Sequence, residues 1–144
     1  MPANIGTPLG RQDGQLTQSV ALPAAPGSAY TPGIDTRNTL HGSFLARTEF
    51  VISAPALTTA EAPNGDTVTY AVQVAQDGDS AFASPTTINA AAIVQTGAGG
   101  AGAPAATARF RLPTNFGRYV RLEVTTGAGC GNCSASSASL SALC

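Results

Sequence analysis

Asp66–Thr87 reads DTVTYAVQVAQDGDSAFASPTT, and its first half alternates without a break. Val68, Tyr70, Val72 and Val74 fall on one side of the chain, and Thr67, Thr69, Ala71, Gln73 and Ala75 on the other. A period of two, with β-branched and aromatic residues against small or polar ones, predicts a strand with one buried face. Gln76-Asp77-Gly78-Asp79-Ser80 then supplies turn backbone, and Phe82 is expected to fold back onto the core. The natural mate of this strand is Arg118–Val124, in which Val120, Leu122 and Val124 point inward.

Working outward, two such strands need a sheet around them. Leu16–Leu22 reads as a first strand ended by Pro23, and Ala24–Gly33 as a loop. Ser43–Ser53 is a second clear strand, with Phe44, Thr48, Phe50 and Ile52 on one face and Leu45, Arg47, Glu49 and Val51 on the other. Asn64-Gly65 marks the turn into the central strand. Ile88–Thr96 is expected to be a strand despite its alanines, because Ile93, Val94 and Thr96 favour one. Gly97–Ala106 reads as a flexible low-complexity loop that cannot pack a core. In Thr107–Leu112, Ala108, Phe110 and Leu112 point in and Arg109 and Arg111 out. Ala135–Cys144 reads as a closing strand. Seven or eight short strands with turns between them predict an all-β protein, an antiparallel β-sandwich of jelly-roll type. Residues 1–15 lack any period and read as an extended arm, leaving 16–144 as a single domain.

Composition agrees with that class. In 144 residues there are 16 Gly and 10 Pro, and only 10% of the chain is charged, against the usual quarter or so. All 7 basic residues are arginine, and the net charge is −1. Binding to nucleic acid by phosphate neutralisation needs a basic patch, and the arginines are scattered, so nucleic acid is not an expected partner. Met1–Gly6 has neither a basic nor an apolar signal region, and no run has the length of a membrane span. The chain is therefore expected to fold in the cytoplasm of the cell that makes it, with no membrane partner. So little charge suggests a surface partly covered by other proteins.

The residues with chemistry to offer do not assemble into a catalytic pattern. His41 is the single histidine, and no Ser or Cys lies in a nucleophile elbow, so the ordinary reading is a loop histidine. Cys130-Gly131-Asn132-Cys133 with Cys144 admits three readings: unpaired thiols, one disulfide, or a metal site one ligand short. Asp77 and Asp79 could offer oxygens to calcium, but the spacing of a calcium loop is absent and turn-forming aspartates are the simpler account. The Gly97–Gly102 run lacks the lysine and the strand-to-helix context of a phosphate loop. With no Trp, 3 Tyr and 5 Phe, exposed aromatics for sugar stacking are few. No enzyme activity, cofactor or metal is expected.

One family resemblance goes further. Val72-Gln73-Val74, then Asp79-Ser80-Ala81-Phe82-Ala83-Ser84-Pro85-Thr86, then Leu112-Pro113 and Gly117-Arg118-Tyr119-Val120-Arg121-Leu122 resemble the capsid cement, or head decoration, proteins of short-tailed bacteriophages. The resemblance covers about Thr67–Thr126; the Gly-rich loop at 97–106 and the cysteine-bearing tail are not matched by the family's pattern. It implies a jelly-roll-like protein bound as a homotrimer to the outer surface of the virion head, where it staples subunits of the major capsid protein together. On that reading the mixed faces Leu45, Arg47, Glu49, Val51 and Arg109, Arg111 are candidate subunit contacts. Ile5, Leu9 and Arg11 of the arm are candidate capsid contacts. A competing pattern, Tyr70-x-Val72-x-Val74-x-x-Asp77-Gly78 followed by the same Gly117–Leu122 strand, is similar to discoidin-like carbohydrate- or lipid-binding modules. Those carry an aromatic after the Asp-Gly turn, where this chain has Asp79-Ser80-Ala81.

Overall fold

The computed structural model describes residues 12–36, 49–112 and 117–143, and among them there is no helix. Nine strand segments appear: β1 Gln12–Ala21, β2 Gly27–Tyr30, β3 Ile34–Asp35, β4 Glu49–Ala54, β5 Thr67–Ala75, β6 Thr86–Thr96, β7 Ala106–Arg111, β8 Tyr119–Thr126 and β9 Ser137–Leu143. They form two antiparallel sheets, β1-β9-β4-β7 and β2-β8-β5-β6, with β3 also on β8. Because β2 pairs with residues 123–126 of β8 and β3 with 119–120, the two occupy one interrupted lane, which makes eight lanes in all.

The pairing is nested. β5 pairs β6, β4 pairs β7, β2 and β3 pair β8, and β1 pairs β9, with successive pairs falling in alternate sheets. A long antiparallel hairpin wound around a core in this way is a jelly roll. The expected mates are neighbours: Val72 sits opposite Leu122 and Val74 opposite Val120.

The core lies between the sheets. The inward positions read from the alternation, Val68, Tyr70, Val72, Val74, Val120, Leu122 and Val124, are all buried, as are Phe50, Ile52, Leu112 and Leu140 from the facing sheet. Half-buried Phe110 stacks on Phe50 across β4 and β7, with ring centroids 5.4 Å apart. Burial of each such side chain contributes about 1.5–3 kcal/mol, so these rows hold the sheets together without charge. Tyr70 and Gln95 form a buried polar pair. The Tyr70 hydroxyl donates to Gln95 Oε1 at 2.6 Å, and Gln95 Nε2 donates to the carbonyls of Pro55 (2.7 Å) and Pro104 (2.9 Å). Burial pushes the Tyr70 hydroxyl well above the usual phenol range, with Cys133 and Glu61 adding to it.

Several expectations need correction. Ala24–Gly33 is not all loop, because Gly27–Tyr30 is a strand on β8. Four residues made of small side chains and one tyrosine are too few to show a period, and only the partner strand makes them β. Strand β1 begins at Gln12, inside the stretch read as arm, and β6 begins two residues before Ile88. The 97–106 segment does pack. Ala103 lies in the core and exchanges backbone bonds with Leu57 at 2.8 and 3.0 Å, while Gly99 N donates to Asn64 Oδ1 at 3.1 Å. Two of its glycines are required there by close approach. A methyl group on Gly97 would overlap the backbone oxygens of Ala62 and Pro63, and Gly102 (φ +64°) lies against the Leu57 carbonyl. Ala71, Gln73 and Ala75, read as outward, do face out but are nonetheless buried.

Candidate functional site

The outer face of the first sheet gathers the sequence-predicted contacts that fall among the described residues. Antiparallel register sets Glu49 opposite Arg111 and Val51 opposite Arg109. Arg109 Nη1 reaches diagonally to Glu49 Oε1 at 2.8 Å, with the arginine side chain 64% exposed. Beyond them the face is hydroxyl-bearing: Ser53 lies opposite Thr107 on one side and Ser139 on the other, and Ser139 opposite Ser19. Leu45, Arg47, Ile5, Leu9 and Arg11 lie outside the described residues, as do Phe44, Thr48 and His41.

The outer face of the second sheet carries a denser constellation. Phe82 does fold back and is buried, but onto this face rather than between the sheets. Its ring edge lies against Gly33, where a methyl group would come within 2.6 Å of Cε2, and it meets Tyr119 edge-on at 6.4 Å. The return is enforced by Asp79, whose two carboxylate oxygens accept from Ala83 N (2.7 Å) and Ser84 N (3.0 Å). Phe82 itself adopts φ +56°, a conformation uncommon for a bulky residue and held here by those bonds. On the outward side of β5, Gln73 lies under Arg121, whose guanidinium the Phe82 ring covers at 4.4 Å. The Asp79 carboxylate is thus occupied by the loop's own amides, the turn-forming role rather than the calcium-binding one. Among the described residues no group of three His, Cys, Asp or Glu side chains could hold a metal ion.

Two arginines organise the rest. Arg118 makes a bidentate pair with Asp35 (Nε to Oδ1 2.7 Å, Nη2 to Oδ2 2.8 Å) and a third bond from Nη1 to Asp77 Oδ1 at 3.0 Å. These raise its pKa further above the usual arginine value and tie β3, the β5–β6 loop and β8 together. Arg121 sits between two rings, its guanidinium carbon 4.0 Å from the centroid of Tyr30 and 4.4 Å from that of Phe82. Its Nε donates to Gln73 Oε1 at 2.8 Å, and Gln73 Nε2 donates to Glu123 Oε1 at 3.4 Å. Burial lowers its pKa from the usual arginine value. Alternation in the sequence sets Arg121 on the side of its strand away from Val120, Leu122 and Val124, but sequence reasoning did not find Tyr30 or Gln73 beside it. The alternation of β5 and β8 held the signal for Gln73; nothing local held one for Tyr30.

Cys130 and Cys133 are buried free thiols, lying 3.5 Å from the carbonyls of Thr67 and Glu61 respectively. Burial pushes both upward, Cys133 to about 11, with Glu61 adding to the shift at Cys133. A thiol in that state is a poor nucleophile. Cys144 lies outside the described residues. Buried Glu61 closes a reciprocal turn with Thr58 (Thr58 N to Oε1 2.9 Å, Glu61 N to Thr58 Oγ1 3.2 Å) and accepts from Ser136 Oγ at 2.9 Å. Its oxygens are therefore committed to backbone and hydroxyl partners.

No family model matches the chain, and no curated protein matches it. Among solved structures, a chain from the structure of infectious bursal disease virus, Gt strain, is 15% identical, with a TM-score of 0.34; the match covers 92% of this chain and 29% of that one. The jelly-roll assignment rests on the strand order and its nested register.

Proposed function

We propose that this chain is a structural virion protein, a cement or decoration protein that binds the outside of an icosahedral phage head as a homotrimer and staples major capsid subunits together. The observation that carries the reading is the convergence of its separated motif residues. The Asp79–Phe82 loop and the Gly117–Leu122 strand, more than thirty residues apart, are one unit: Asp79 folds the loop, Phe82 lands on Arg121, and Asp77 binds Arg118. A motif whose residues build a rigid outer face, rather than a cleft around a nucleophile, suits a protein whose work is docking.

Catalysis, a cofactor, nucleic acid and a membrane have no part in this reading. Binding the assembled shell and not its dissociated subunits would stabilise the shell by mass action, by about 2.7 kcal/mol per site at a free concentration one hundred times Kd. A trimer multiplies this, since the second and third feet bind at high effective concentration. Glu49, Val51, Arg109 and Arg111 are then subunit contacts on the first sheet. The test is light scattering on the purified chain, then co-sedimentation with shells that lack it. A trimer that pellets with shells and raises their melting temperature is the expected result. A monomer that ignores shells but binds a glycan array would replace this reading with the discoidin-like one.

A further inference from the structure

Asn64-Gly65 is the only Asn-Gly step in the chain, and it stands exposed on the turn that leads into β5. Asp66 N donates to Pro63 O at 3.0 Å, which makes Asn64 and Gly65 the two central residues of that turn. Gly65 takes φ +86° there, with open space where a side chain would stand. Such a step carries chemistry of its own. The glycine nitrogen, unshielded by any side chain, loses its proton and attacks Cγ of the asparagine. A C–N bond forms, the Cγ–Nδ2 bond breaks, and ammonia leaves. The succinimide ring that results takes up water at either carbonyl and opens to aspartate or isoaspartate.

Both reacting groups are held by the segment 97–99. The Gly65 N–H, whose proton must leave, donates to Gly97 O at 2.9 Å. The Asn64 carboxamide, which must turn onto its own backbone, accepts from Gly99 N at Oδ1 at 3.1 Å. Gly97 N donates in return to Asp66 O at 2.8 Å, so the turn and the segment are fastened in both directions. The segment is itself anchored. Gly97 lies against the carbonyls of Ala62 and Pro63, Ala98 N donates to Gly102 O at 2.8 Å, and Gly102 lies on the Leu57 carbonyl.

We propose that Asn64 is a latent deamidation site and that the segment 97–99 is its guard, so that the reaction runs only in molecules whose segment has opened locally. The product does not reclose. Isoaspartate carries the main chain through Cβ, which lengthens a turn closed by one 3.0 Å bond and takes Gly65 N off Gly97 O. A passing opening is thereby converted into a lasting one, with a new negative charge beside Asp66. The guard works whatever the chain docks to.

The test follows Asn64 in the full chain by peptide mass spectrometry at mildly alkaline pH, folded and in concentrated urea. The folded protein should deamidate at least about tenfold more slowly than the unfolded one. Equal rates overturn the proposal. Gly99→Pro then removes the N–H that holds Asn64. Gly99 is the second residue of a turn closed by Ala101 N on Ala98 O at 3.0 Å, with Gly100 at φ +79° after it, a position that accepts proline. The folded variant should deamidate severalfold faster than the parent, whereas Gly99→Ala, which keeps the N–H and meets Asn64 only at 3.6 Å or more, should match the parent. A parental rate in folded Gly99→Pro overturns the proposal. Should that variant fail to fold, the parent decides alone: across sub-denaturing urea, hydrogen exchange at the Gly65 amide and deamidation at Asn64 should accelerate together. Deamidation that stays flat while exchange rises overturns the guard.

Discussion

Tyr70→Phe removes one oxygen from the centre of the sandwich and tests whether the polar pair there is a structural element. Tyr70 is fully buried, and its hydroxyl is the donor to Gln95 Oε1 at 2.6 Å. Gln95, only 4% exposed, cannot turn to find another donor without giving up Pro55 and Pro104, to which its Nε2 donates at 2.7 and 2.9 Å. The substitution keeps the ring and opens almost no cavity, so the loss is that of an orphaned buried acceptor, about 1–3 kcal/mol. For a chain of this size a loss near 2 kcal/mol lowers Tm by about 4–8 °C. Urea unfolding should show a lower midpoint with an unchanged slope, because the surface exposed on unfolding hardly changes. Gln95→Met in the same background supplies the control: the double variant should lose less than the sum of the single ones, since the two residues share one bond. A Tyr70→Phe melt within about 1 °C of the parent's would refute the reasoning, showing that Gln95 is satisfied in some other way.

Three further outcomes follow from the same geometry. Gly102→Ala should destabilise by more than about 1 kcal/mol, because it adds a methyl group at φ +64° against the Leu57 carbonyl, and a melt as high as the parent's would mean that the 97–106 segment yields easily. The contribution of Cys133 to stability should be constant below pH 9 and lost as pH rises toward 11: the folded state raises its thiol from 9.0 to about 11, so the neutral form favoured by folding is lost across that window. Cys130 and Tyr70 shift in the same direction, and an unfolding midpoint that holds constant to pH 11 would contradict the burial of these groups. Asp79→Ala frees the amides of Ala83 and Ser84 and releases Phe82 from its φ of +56°, so limited proteolysis should cut between 76 and 85 faster while the global melt changes little. Equal cutting rates would show that Phe82 alone holds the loop.

Strand β5 and its mate β8 were legible in the sequence because alternation is a local property: a strand with one buried face must place apolar residues at every second position, whatever it packs against. The same rule predicted the inward rows of β4 and β7 and, with the turn residues, the sandwich class. Phe82 was legible as a residue that returns, since Asp and Gly supply a turn wherever they stand. Which surface it returns to was not, because that depends on Gly33 and Arg121, both distant in the chain. Strand β2 could be seen only once β8 was there to pair with it. The glycine run at 97–106 looked flexible because composition reports only the freedom of the isolated chain. The fold uses the missing side chains instead, to bring its backbone against Ala62, Pro63 and Leu57. The guanidinium of Arg121, with Tyr30 and Phe82 on its two sides and Gln73 at its Nε, is assembled from three strands and a loop. Local sequence determines which face of a strand a residue occupies; only the tertiary register decides which residues share that face and what they can hold.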